Sequence, residues 1–297
     1  MPMQTTETIS TAHADLDTLS PAEMARRFIT EQQGAVAAAL AASDQIAAAA
    51  AAAAPRLRAG GRLLYFGAGT SGRLALLDAV ELVPTFSWPP QRAVASLAGG
   101  PGAVHQAVEG AEDDAALAER DLRALAPTAL DVVISIAVSG RTPYAMAALR
   151  AARPLGALTI AIVNNPGAPM TVLAEHAIVL ETGAEVIAGS TRLKAGTAQK
   201  IALNTLSSCL MVLLEKVHGN LMVDLKPTNA KLVARAVDLV VRLTGAEERT
   251  AARMLQACAL EVKTAVVALQ CDLGPDDARA RLAARSGSMR RAMQEPL

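Results

Sequence analysis

Aromatic residues are nearly absent. Phe28, Tyr65, Phe66, Phe86, Trp88 and Tyr144 are the six rings in 297 residues, about 2% of the chain. So few rings argue against a base-stacking platform or an aromatic carbohydrate groove. Net charge is also missing: 28 Lys and Arg balance 28 Asp and Glu. A nucleic-acid binder should carry a basic excess or stripe, so none is expected as a partner. Cysteine is scarce. Cys209, Cys258 and Cys271 form no C-x-x-C pair, and their odd number fits thiols in a reducing compartment. No long apolar run is present either. The longest, Ile46 to Ala54, is almost all alanine and too short to span a bilayer. Met1 to Leu19 is polar and acidic, unlike a signal peptide. The expectation is a soluble cytoplasmic protein with no membrane partner.

What the chain has in quantity is Ala, Leu and Val. Apolar residues make up 52%, enough for a large core. Ser20-Pro21-Ala22-Glu23 is a capping box with Pro at the first helical position. It predicts a helix to about Phe28. A second helix is predicted over 31–59, with a kink at Pro55. An alternation follows. Strands are predicted at 62–67, 93–98, 131–138, 157–163 and 176–180. Helices are predicted near 71–80, 101–108, 115–125, 143–155 and 193–218. Strands separated by helices imply an α/β fold with an open, mostly parallel sheet and helices on both faces. After about 227 the pattern is helical only, with segments at 228–243, 247–257, 262–269 and 276–284. This predicts an α/β domain over 1–240 and a small all-helical domain over 241–297.

Two turns carry candidate chemistry. Gly67-Ala68-Gly69-Thr70-Ser71-Gly72-Arg73 joins a strand to a helix and fits G-x-G-x-x-G. A dinucleotide site also wants an acid at the end of the next strand, and Val94 to Gly100 carries none. Hydroxyls and free N–H groups at a helix N-terminus suit a phosphate monoester instead. A tight turn needing glycine explains this segment equally well. Ser139-Gly140-Arg141-Thr142-Pro143-Tyr144 repeats the arrangement after another strand. Two such turns meet at the carboxyl edge of a parallel sheet, where open α/β sheets bind ligands. Together they favour a sugar phosphate. Thr70, Ser71, Ser139 and Thr142, with the N–H groups of Gly72 and Gly140, are the candidate phosphate ligands. Lys194 is a further candidate charge.

Acids form the third set. Glu81 is expected at the end of the helix after the first turn, where it would oppose the helix dipole. Glu109-Gly110-Ala111-Glu112-Asp113 is a dense acidic turn, and Glu185 and Lys194 flank Gly189 to Leu193. Any one such acid is more often a solvated surface residue. A pair beside a bound sugar phosphate suits general acid–base work. His13, His105, His176 and His218 lack metal-ligand spacing, and no metal is expected.

These segments, in this order, resemble the N-acetylmuramic acid 6-phosphate etherase family. The matching stretches are 67–81, 107–113, 139–144, 165–170 (NPGAPM), 183–200 and 219–232. The resemblance implies the sugar isomerase (SIS) fold and a C-terminal helical domain. It implies a cofactor-free cleavage of the C3 lactyl ether of N-acetylmuramate 6-phosphate, giving N-acetylglucosamine 6-phosphate and D-lactate. It also implies a homodimer with the active site near the interface. The family's two glutamates match Glu81 and Glu112. Glu112 is read as the base that removes the C2 proton of the ring-opened sugar. Glu81 is read as the acid that protonates the leaving lactate oxygen and later activates water. That acid must hold its proton near neutral pH. The chain departs from the family at Thr6-Glu7-Thr8-Ile9, where many members carry Thr-Glu-Arg-Asn, and at Val138 and Asn164.

Three other functions weigh against this one. A phosphosugar sensor like the glucokinase regulatory protein has two SIS halves. A phosphosugar isomerase needs a base but no leaving-group acid. A SIS-type transcription regulator needs a basic helix-turn-helix, and 10–54 offers only Arg26 and Arg27.

Overall fold

The five predicted apolar runs all become strands: β1 Leu63–Gly67, β2 Ala93–Leu97, β3 Val132–Ile136, β4 Leu158–Val163 and β5 His176–Val179. The computed structural model describes residues 5–225, 227 and 229–294. All neighbouring strands are parallel, in the order β2-β1-β3-β4-β5. The sequence of strand additions reverses between β1 and β3. In open α/β sheets a crevice for ligands lies at that switch point, outside the carboxyl ends of the strands. Gly67 and Ile136 end their strands in register, so the two glycine-containing turns leave the sheet side by side.

The helices are α1 Pro21–Glu31, α2 Gln33–Ala41, α3 Ser43–Arg58, α4 Gly69–Phe86, α5 Ala115–Ala124, α6 Pro143–Ala152, α7 Pro169–Leu173 and α8 Lys194–Leu213. Strand residues alternate between faces. Leu64, Phe66 and Val133 pack with Ala118 and Leu122 of α5 and with Tyr144, Ala147 and Ala148 of α6. Tyr65 points the other way and donates to Asp78 of α4 (3.0 Å). Small alanine side chains let these helices lie close to the sheet, which explains a dense core with few rings. Tyr65, Phe66 and Tyr144 are all fully buried, so the scarce aromatics fill the core.

Several local expectations need correction. Among the described N-terminal residues, Thr5–Glu7, Thr11–His13 and Leu16–Thr18 are single 3-10 turns, which no pattern in the sequence predicted. The capping box at Ser20 and Glu23 forms, but α1 runs on to Glu31. The helix predicted over 31–59 breaks at Gln32 and Ala42, while Pro55 sits inside α3. The helix at 101–108 shrinks to the 3-10 turn Pro101–Val104. Helix α4 passes through Pro84 to Phe86, so Glu81 lies within it and not at its end. Helix α8 stops at Leu213. The hairpin strands β6 Val217–His218 and β7 Leu221–Met222 follow.

The chain groups into two compact units, residues 1–80 with 90–209, and residues 81–89 with 210–297. The sequence placed its boundary near 240, which falls within α9. The second unit carries α9 Ala230–Thr244, α10 Glu248–Ala257, α11 Val262–Cys271, α12 Pro275–Ala284 and α13 Met289–Gln294. Their apolar faces share one core around Leu239, Val240, Leu255, Val266 and Leu282. Asn229 caps α9 through Leu232 N–H (3.0 Å), and Gly245 in the left-handed region ends it. The predicted start at Thr228 lies outside the described residues. Among the described residues no single helix is long and apolar enough to cross a membrane.

Candidate active site

The turns after β1 and β3 build one cleft of about 480 Å³. Its walls include Gly69, Thr70 and Ser71 at the start of α4, Ser139, Arg141, Thr142 and Pro143 at the start of α6, and Glu112. That volume lies within the usual range for a small-molecule site. Each helix N-terminus has backbone N–H groups without intrahelical acceptors. Here the N–H groups of Thr70 and Ser71 and those of Thr142 and Tyr144 find no acceptor among the described residues. Two unsatisfied N-termini converging on one cleft make a strong site for an anion.

The predicted phosphate ligands divide. Thr70, Ser139 and Thr142 line the cleft and are partly exposed. Ser139 Oγ accepts the Arg141 N–H (3.1 Å), which sets the turn and leaves the hydroxyl proton to donate. Ser71 also lines the cleft, but its hydroxyl is buried and donates to Gln199 Oε1 (2.8 Å). Gln199 in turn donates to Asn164 Oδ1 (2.9 Å), and both amides are fully buried. The N–H groups of Gly72 and Gly140 are already spent on Ala68 O (3.1 Å) and Ala137 O (3.1 Å). These two glycines serve the backbone instead. A Cβ on Gly72 would stand 2.7 Å from Gly67 O, and Gly140 has φ +59°. Tyr144 of the second turn is core.

Lys194 does not reach the cleft. Its ammonium donates to Glu31 Oε2 (2.9 Å) and is itself buried. That hydrogen bond and the nearby positive charge hold the Glu31 carboxyl below the usual carboxylate range. The geometry follows from the buried Glu185, which accepts from Lys194 N–H (3.0 Å) and Ala195 N–H (2.8 Å). Glu185 thereby caps α8 and turns the Lys194 side chain toward α1.

The two glutamates are placed differently. Glu112 sits in the 3-10 turn Ala111–Asp113, entered through Gly110 in the left-handed region, and faces the cleft. Arg73 supports the preceding 3-10 turn by donating to Val104 O (3.1 Å). Glu81 is exposed and does not line the cleft of its own chain. It lies ten residues along α4 from Ser71, about 15 Å of helix. Just before it, Asp78 is buried and anchored by Asn204 (2.7 Å), Ser207 (2.9 Å) and Tyr65. Burial pushes the Asp78 carboxyl up from its ordinary value, against the pull of those three donors.

Comparison with known proteins agrees with this architecture. Residues 45–153 match the family model of the glucokinase regulatory protein N-terminal SIS domain, and residues 104–208 match that of the SIS domain. The N-acetylmuramic acid 6-phosphate etherase of Deinococcus radiodurans is 54% identical over 98% of this chain and 95% of its own. That of Pectobacterium atrosepticum is 48% identical over 97% and 95%. The chain belongs to the N-acetylmuramic acid 6-phosphate etherase family. Among solved structures, a phosphoheptose isomerase from Francisella tularensis shares the fold, with TM-score 0.50 and 21% identity over 65% of this chain and 98% of that one.

Within this family fold, four cleft residues escaped the sequence reading: Glu7, Asp113, Arg141 and Thr191. Arg141 and Thr191 stand inside segments that the resemblance had marked, so their position was readable. Asp113 neighbours Glu112. Glu7 stands in the Thr-Glu pair that this chain shares with many family members, but nothing local ties that pair to the cleft.

Proposed function

We propose that the protein is an N-acetylmuramic acid 6-phosphate etherase of cell-wall amino-sugar catabolism. The supporting observation is Glu112 facing a cleft formed by two unsatisfied helix N-termini at the sheet's switch point. The phosphate takes the N-termini of α4 and α6, with the hydroxyls of Thr70, Ser139 and Thr142. Arg141 adds positive charge to the same cleft. Ring opening exposes an aldehyde at C1, which acidifies the proton at C2. Glu112 takes that proton, and the electron pair forms the C2–C3 double bond as the C3–O bond to lactate breaks. Glu81 gives its proton to the leaving lactate oxygen, and water then adds at C3. The aldehyde itself stabilises the developing charge, so the step calls for no metal or organic cofactor.

Incubation with N-acetylmuramate 6-phosphate in ¹⁸O-labelled water tests the chemistry. Label is expected on the sugar C3 oxygen and none in lactate. Label in lactate refutes the elimination. Glu112→Gln should lower kcat about 10²–10⁴-fold with an unchanged melting temperature. A variant with wild-type turnover overturns the role of Glu112.

We further propose a homodimer in the cytoplasm, a reducing compartment that suits the three free cysteines. On α4, Leu77 and Val80 are about half exposed, and with Glu81 they make one stripe at helical spacing. A second copy that covers this stripe would carry Glu81 toward a partner's cleft. Glu81→Gln and Glu112→Gln proteins should then be inactive alone and regain activity after mixing and subunit exchange. Exchanged but inactive mixtures overturn this arrangement.

A further inference from the structure

Asn165 to Met170 is the NPGAPM segment. It follows β4, and its first residue is a buried polar anchor. Asn165 Nδ2 donates to Thr6 Oγ1 (3.0 Å) and to Val138 O (2.9 Å). Asn165 Oδ1 accepts from Thr5 Oγ1 (3.1 Å) and from Thr6 N–H (3.4 Å). Thr6 is fully buried although it lies near the start of the chain. One side-chain amide therefore fastens residues 5–6 to the backbone just before Ser139. The next residue, Glu7, is exposed and lines the cleft. Its carboxylate has no hydrogen-bond or ion-pair partner among the described residues. Oε2 lies 3.3 Å from where a Cβ on Gly189 would stand, so the absence of a side chain there leaves the carboxylate room.

We propose that residues 5–7 form a fixed wall of the active-site cleft, and that Glu7 contacts the sugar directly. This rests on the etherase reading above. A carboxylate is an acceptor only, and it repels other anions. The substrate carries negative charge at its phosphate and at its lactyl carboxylate. Both are excluded from the side of the cleft that Glu7 occupies. What remains for Glu7 is a neutral donor of the sugar, a hydroxyl or the acetamido N–H. Glu7 thus orients the substrate with its phosphate toward α4 and α6. Asn165 is the positioning residue, because it acts through the segment it holds.

The test compares Glu7→Ala, Glu7→Asp and Thr6→Val with the wild type on N-acetylmuramate 6-phosphate. Inorganic phosphate serves as a competitive probe of the two helix N-termini. Loss of a charged hydrogen bond predicts that Glu7→Ala lowers kcat/KM by about ten- to a hundredfold. Glu7→Asp should recover part of that loss. The melting temperature and the inhibition constant of phosphate should not change. Thr6→Val keeps the shape and removes one anchor, so it should lower kcat/KM less. Combined with Glu7→Ala it should add nothing further. Glu7→Ala within twofold of wild type overturns the proposal. So does a phosphate inhibition constant that weakens in step with the substrate, which would mean that Glu7 merely shapes the turns. A wild-type protein that releases no lactate sinks the etherase reading itself, a separate outcome.

Discussion

The two ends of the sheet are built on opposite principles. At the amino end, charged side chains stitch the loops to the strands. Arg62 and Asp131, which precede β1 and β3, pair through two contacts (2.7 and 3.1 Å). Asp131 also accepts the N–H groups of Arg62 (2.8 Å) and Thr128 (2.8 Å). Arg56 donates to Ala129 O (2.7 Å) and Gly156 O (2.6 Å), and Arg92 donates to Gly61 O (2.7 Å). At the carboxyl end the same strands open into short turns where the N–H groups of Thr70, Ser71, Thr142 and Tyr144 and the carboxylates of Glu7 and Glu112 have no partner among the described residues. Unsatisfied polar groups destabilise a fold, and a fold keeps them where a ligand will satisfy them. The first end therefore holds stability and the second holds function. Substitutions should separate them.

Asp131 should have the largest effect on stability. Asp131→Ala leaves two N–H groups and a guanidinium without their acceptor. Breaking a buried pair of this kind costs about 3–5 kcal/mol. Chemical denaturation should show that loss, while kcat of the folded fraction stays at the wild-type value. A matching loss of kcat would break the division between the ends. The same residue sets an acid limit. Burial alone would raise its carboxyl, but Arg62 and the backbone donors outweigh burial and hold it below 3.8. A lowered folded-state value means that this stability is present above pH 3.8 and disappears as pH falls through the depressed value. Asp131→Asn should flatten that part of the acid-unfolding curve.

Gly140 tests whether the open end is free of structural demands. A Cβ there would stand 2.5 Å from the Ala168 Cβ and would meet a backbone at φ +59°. Overpacking and left-handed strain together predict a loss of roughly 2–4 kcal/mol for Gly140→Ala. Gly69, in the first turn, also has a positive φ (+53°) but faces open space. Gly69→Ala should lose only about 1 kcal/mol. Equal losses from the two would show that the turns carry the same constraint. A smaller loss at Gly140 would show that Ala168 yields.

How much of this could be read from the sequence depended on range. Strands β1 and β3 were legible because Leu63–Phe66 and Val132–Ile136 are apolar runs bounded by glycine turns. The cleft was legible because both turns follow adjacent strands of one parallel sheet. The stitching at the amino end was not, since Asp131 and Arg62 are 69 residues apart and each reads as an ordinary surface charge. The placement of Glu7 was hidden for the same reason, because its neighbour Thr6 is anchored 159 residues away at Asn165. The reach of α4 was misjudged because Pro84 reads as a breaker, yet the helix runs past it. Periodicity reports local structure, while buried side-chain pairs between distant segments leave no periodic trace.

Ser71 sharpens the comparison, because it belongs to both ends in kind. It sits in the open turn, yet its hydroxyl is the first link of a buried chain through Gln199 to Asn164. Asn164 continues the chain to Thr182 Oγ1 (3.4 Å) and Ala195 O (3.3 Å). Ser71→Ala leaves Gln199 Oε1 without its donor in a fully buried position. An orphaned acceptor of this sort costs about 1–3 kcal/mol. If the hydroxyl is structural, denaturation should record that loss and the inhibition constant of inorganic phosphate should hold. Ser139→Ala, in the second turn, should do the reverse: stability changes little and phosphate binding weakens severalfold. Should Ser71→Ala weaken phosphate as much as Ser139→Ala, the hydroxyl turns from Gln199 to the ligand on binding. The two turns would then be equivalent in the complex, although they differ in the free protein.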